Sequence, residues 1–106
     1  MIEIGIFNCH NGKIIKKELV EKELCEPKEL FASRLLNKAK EISKWFDEKK
    51  TFFQKEIWYY WELSGFARLI EKFAKNEITK DEITTSVIVF EDDSLGKEYE
   101  FYLKRR

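Results

Sequence analysis

Cys9, His10 and Cys25 are the residues of this chain with the chemistry of soft metal ligands or thiol nucleophiles. A structural zinc site takes four ligands, commonly in short C-x-x-C spacings, and three candidates fall one short. Cys9 and His10 are also adjacent. Neighbours on a strand point to opposite faces, so the pair is poorly placed to share a metal or to act as nucleophile and base. The expectation is a small buried Cys9, a turn-proximal His10 and a structural Cys25, with no metal or cofactor. A second cluster, Glu91-Asp92-Asp93, has carboxylates close enough for Mg²⁺ binding or acid–base work. It comes without an EF-hand loop or other partner motif, and a solvated hairpin tip is the simpler reading. The sequence contains no Gly-rich phosphate loop, G-x-S-x-G or H-E-x-x-H. No catalytic residue is assigned, and the chain reads as a non-enzyme.

Two further groups point to binding. Lys104-Arg105-Arg106 follows an aromatic segment containing Tyr99, Phe101 and Tyr102. Cations interleaved with aromatics can hold phosphates and stack bases, so these three are candidate nucleic-acid contacts. The other group is Trp58, Trp61, Gly65, Arg68 and Lys72, spaced to lie along one line of a helix. Tryptophan and arginine are enriched in interface hot spots. A mid-helix glycine costs about 1 kcal/mol relative to alanine, which hints at close packing there. Either the fold buries this helix on two sides, or the patch is a partner surface, with a symmetric homodimer as its simplest use; these five residues are the candidate partner contacts.

Composition limits the alternatives. The chain has 106 residues, enough for one domain over 1–106 with a single two-layer core. Charged residues make up 38%, yet 20 Lys+Arg balance 20 Asp+Glu. A dedicated duplex-DNA binder shows a basic excess, so nucleic acid is not the favoured partner. The Lys/Glu bias matches that of hyperthermophile proteins, and an AT-rich genome produces a similar one. A virus or mobile-element product fits the same composition. The opening Met1–Phe7 run carries Glu3 and no basic region, unlike a signal peptide. No apolar stretch approaches the ~20 residues of a membrane span. Two cysteines make no disulfide framework, so the expected compartment is the cytoplasm.

The elements that would position these residues follow from periodicity. Ile2, Ile4 and Ile6 alternate, and Asn11-Gly12 is a strong two-residue turn signal. The hairpin over 2–20 is therefore expected to pair His10 with Lys13 and Ile6 with Lys17. That register sets Ile4, Ile6, Ile15 and Leu19 on one face, and Gly5, Phe7, Cys9, Ile14 and Val20 on the other. Pro27 fits a helix start. Phe31, Ala32, Leu35, Leu36, Ala39, Ile42 and Phe46 then form an apolar stripe, which predicts a helix over roughly 28–48. A second helix is expected over 52–76, opened by the Thr51/Gln54 capping box and ended at Asn76. Its stripe lies about 120° around from that of the first, so a break near 49–51 is expected rather than one rod. Thr79–Glu82 matches another capping box and would open a short turn. Residues 84–91 and 97–104 read as strands around a turn at 92–96.

The order is ββ-αα-ββ: an α+β domain, with an antiparallel sheet of about four strands against a two-helix hairpin. The function expected is that of a small non-enzymatic interaction protein, a regulator, inhibitor or assembly component, acting as a homodimer. A single-stranded nucleic-acid module ranks second and a small enzyme of unknown reaction third.

Overall fold

A computed structural model of the chain describes residues 1–51, 56–59, 66–91 and 94–106. In chain order they form β1 (Ile2–Asn8), β2 (Ile14–Val20), α1 (Lys28–Thr51), β3 (Glu56–Tyr59), α2 (Phe66–Ala74), β4 (Glu82–Glu91) and β5 (Ser94–Arg105). Among the described residues the strands make one antiparallel sheet, ordered β2-β1-β5-β4-β3. The class is α+β, as expected. The two hairpins supply four strands, and their inner strands β1 and β5 join them.

Helix α1 follows its stripe. Phe31, Ala32, Leu35, Ala39, Ile42 and Phe46 are all buried. They meet Ile2, Ile4 and Ile6 of β1, Phe101 and Leu103 of β5, and Phe66, Ile70 and Phe73 of α2 in one core. The Pro27 carbonyl accepts the Phe31 amide at 3.1 Å, the first bond of the helix. Arg34 secures the preceding loop. It donates to Glu26 at 2.7 and 2.9 Å and to the Glu21 carbonyl at 2.7 Å.

The second helix is shorter than expected. Residues 56–59 are strand β3, paired with β4 through Trp58 opposite Ile88. The run Ile57-Trp-Tyr-Tyr-Trp61 is β-branched and aromatic, so strand propensity competes with the helical spacing there. Helix α2 ends at Ala74 and is closed by Asn76, the residue expected to stop it. Asn76 adopts φ 61°, Glu77 donates to the Lys72 carbonyl at 2.9 Å, and Asn76 donates to that of Phe73 at 3.2 Å. These two bonds and the left-handed residue make a Schellman cap. The Thr79–Glu82 match opens no helical turn, because Glu82 already belongs to β4. Strands β4 and β5 are longer than their apolar alternation implied. Asp92 and Asp93 lie outside the described residues.

The first hairpin departs from the expected register by one residue. Ile6 pairs with Lys16 and Ile2 with Val20. The loop has four residues, not two: Gly12 donates to the Asn8 carbonyl and Asn8 to that of Lys13. The Asn8 side chain accepts the His10 amide at 2.8 Å, which stabilises the wider turn. Gly12 takes φ 71° to close it. A bulge between Ile6/Phe7 and their partners lets Ile14 sit opposite Phe7 and leaves Ile15 extra. A one-residue shift exchanges faces along a strand. Val20 is therefore buried beside Ile2, whereas Ile15 and Leu19 are exposed.

Gly5 is the close approach that this register requires. A β-carbon on Gly5 would overlap the Lys16 carbonyl oxygen and lie 3.0 Å from the Tyr102 ring. We expect Gly5→Ala to destabilise the fold by ~1–3 kcal/mol, because a backbone atom of β2 must move. Chemical denaturation of the two proteins measures it.

Candidate functional site

Among the described residues the sheet has one face under the helices and one open face. On β1 the open face carries Glu3, Gly5 and Phe7, and on β5 it carries Glu100, Tyr102 and Lys104. Glu3 is 2% exposed despite lying there. Its neighbours bury it: the Tyr102 ring reaches across Gly5, where no side chain blocks it. The Tyr102 hydroxyl donates to Glu3 Oε2 at 2.6 Å. Arg106 donates to Glu3 Oε1 through Nε at 3.1 Å and Nη2 at 3.0 Å. Phe7 packs on Tyr102 with ring centroids 5.8 Å apart. Both carboxylate oxygens are satisfied, as burial of a charge demands.

The electrostatics follow from this geometry. The Tyr102 hydroxyl, and then Arg106, hold the Glu3 carboxyl below its ordinary range against the opposing effect of burial. Burial, and then the Glu3 carboxylate, push the Tyr102 phenol well above its ordinary value. A carboxylate held ionised and a phenol held protonated make a lock between the two strands. Beside the lock lies a shallow depression of about 240 Å³, lined by Phe7, Ile14, Glu82 and Lys104 among others.

The residues singled out from sequence are dispersed. Cys9, His10 and Cys25 are exposed, and neither cysteine forms a disulfide. The expected burial of Cys9 fails because β1 ends at Asn8 and Cys9 enters the turn. Among the described residues no three His, Cys, Asp or Glu side chains are placed to hold a metal. The helical line through Trp58, Trp61, Gly65, Arg68 and Lys72 does not form, because Trp58 belongs to β3. Trp61 and Gly65 lie outside the described residues. Arg68 and Lys72 are exposed one turn apart on α2, with Leu69 exposed beside Arg68.

The segment Lys104–Arg106 is no free tail. Strand β5 runs through Arg105, and the Arg105 guanidinium covers the end of α2. It donates to the carbonyls of Phe73 at 3.0 Å and Ile78 at 2.7 Å, and to Asn76 Oδ1 at 2.9 Å. It also stacks 4.0 Å from the Phe73 ring centroid. Arg106 is committed to Glu3. Tyr99, Phe101 and Tyr102 are buried, with Tyr99 edge-on to Phe46. The rings and two of the three cations expected to meet nucleic acid are thus used by the fold.

In the sequence Glu3 reads as an interruption of an apolar run, and nothing beside it marks it as a site residue. Its alternation with Ile2 and Ile4 signals the opposite face, but its partners lie 99 and 103 positions away. Compared with protein-family models, curated proteins and solved structures, the chain matches none. Among the described residues no helix is long and apolar enough to cross a membrane.

A carboxyl whose folded pKa is depressed stabilises the fold above its ordinary value of 4.5. That contribution is lost as pH falls through the folded pKa. Denaturant melts of wild type and Glu3→Gln between pH 7 and pH 3 should show the difference between them shrinking below about pH 4.5. Separately, Arg105→Gln should cost about 2 kcal/mol, the scale of lost charge-assisted hydrogen bonds. Arg68→Gln, at an exposed position, should stay within about 0.5 kcal/mol of wild type. Thermal melts compare the two.

Proposed function

We propose that this chain is a small non-enzymatic interaction protein, a regulator, inhibitor or assembly component that acts by binding another macromolecule, as a homodimer. The supporting observation is apolar exposure on a sheet edge. Ile14, Ile15 and Leu19 are 48%, 39% and 55% exposed on β2, the outermost of the described strands on its side of the sheet. Edge strands are templates for pairing with another chain, and main-chain pairing with alternate side-chain contacts is a recurring recognition mode. The exposed Arg68, Leu69 and Lys72 on α2 offer a second contact region of the kind expected from the sequence. The charge balance and the engagement of Arg105 and Arg106 weigh against nucleic acid as the partner.

Affinity capture from the native source, scored for protein and nucleic acid together, tests this reading beside sedimentation of the purified chain. Self-association, or a stoichiometric protein partner, is expected. A monomer that retains nucleic acid alone at ~150 mM salt would overturn it, because non-specific charge contacts weaken steeply there.

A further inference from the structure

We propose that two copies of this chain join through β2, pairing antiparallel about a two-fold axis at Lys17 to continue the sheet across both copies. The proposal rests on the interaction reading above and names its partner, a second copy. Strand β2 pairs with β1 on one side, and no strand of the described sheet lies on its other side.

Symmetry and chemistry select the register. Directly opposed residues in an antiparallel sheet share a face. A two-fold axis normal to the sheet therefore sets one residue against its own copy. Three central choices exist. Centring on Lys16 opposes Lys17 to Ile15 and Glu18 to Ile14. Centring on Glu18 opposes Lys16 to Val20 and Lys17 to Leu19. Neither makes a complementary charged pair. Centring on Lys17 opposes Lys16 to Glu18 of the second copy, twice by symmetry. It also opposes Ile15 to Leu19, covering two exposed apolar side chains with each other.

The two side chains are partly exposed and held only by weak contacts. Lys16 and Glu18 are on the helix side of β2, at 32% and 40% side-chain exposure, with a loose 3.7 Å contact inside their own strand. The Lys16 ammonium also lies over the Trp45 ring of α1, Nζ 5.2 Å from its centroid, a contact it gives up or shares when it turns to the second copy. Lys17 meeting its own copy on the open face is the unfavourable contact. Lysines and bulges on an edge commonly block pairing, and β2 has both. Glu18 is what distinguishes this edge from a merely protected one, because it gives Lys16 an opposed counter-charge.

Charge reversal tests the register. Wild type, Lys16→Glu, Glu18→Lys and the double variant are compared by sedimentation velocity, with thermal melts establishing that each is folded. Each single variant opposes like charges twice and should weaken the dimer at least about tenfold, from cross-strand pair energies. An equal mixture of the two singles should form a mixed dimer, and the double variant should regain the homodimer. Lys17→Thr should tighten it. A monomeric wild type overturns the proposal. So does a dimer indifferent to both single reversals, although that result leaves the wider interaction reading standing. If a single variant fails to fold, the Lys17→Thr and double variants still decide: no tightening in one and no dimer in the other overturn the register.

Discussion

A carboxylate cannot be buried without donors, and Glu3 finds its donors on Tyr102 and Arg106 at the opposite end of the sequence. Glu3 is opposite Lys104 in the pairing of β1 with β5. Sliding β5 by one residue would carry Tyr102 to the helix side and leave Glu3 buried without its hydroxyl donor. The register that joins the two hairpins is therefore the one that satisfies this group. Replacing a buried ion pair by apolar residues is often neutral or stabilising, so its net contribution to stability is a poor measure of it. Its larger effect is on uniqueness, since alternatives leave a charge unpaired.

The same strand is filled from both sides, and this sets the limits of β2. On the helix side Ile2, Ile4 and Ile6 enter the core. On the open side Gly5 makes room for the Tyr102 ring and lets the Lys16 carbonyl approach. The β2 backbone must follow that approach. With a four-residue loop and a bulge near its start, its alternation reaches the core at Val20 and leaves Leu19 outside. The exposed apolar edge is thus a geometric consequence of how β1 is packed. A two-residue Asn11-Gly12 turn would have brought Leu19 onto the face of Ile4 and Ile6 instead.

What the sequence revealed tracks the range of the interaction. The α1 stripe from Phe31 to Phe46 is local, with a 3.6-residue period, and each of its buried members is where that period puts it. Asn76 could be read as a helix end because a left-handed cap has local chemistry. The paired strands at each end were legible through alternation. Their joining through β1 and β5 was not, since the partners of Glu3 are about a hundred residues distant. Strand β3 is hidden in the sequence for another reason. Trp58, Trp61, Gly65, Arg68 and Lys72 satisfy a helical spacing, yet Trp58 pairs with Ile88 in a ladder that no local window contains. For the site, residue type could mark Arg105 and Arg106 as cations but could not show that the fold consumes their donors.

That consumption follows a division between the two cations. The chain has four arginines, and three of them serve as planar forks. Arg34 binds Glu26 and a loop carbonyl, Arg105 caps α2, and Arg106 holds Glu3. Each site needs several N–H groups in fixed directions, which a guanidinium supplies and an ammonium does not. Two of the described lysine pairs, Lys38 with Glu41 and Lys75 with Glu71, lie within helical turns at the surface. Pairs of that kind are worth only a few tenths of a kcal/mol and are readily exchanged. Lys16 and Glu18 on β2 belong to this exchangeable class. Fixed forks hold the protomer together, while loosely paired lysine and glutamate are the charges that can change partners at low cost when a new strand arrives.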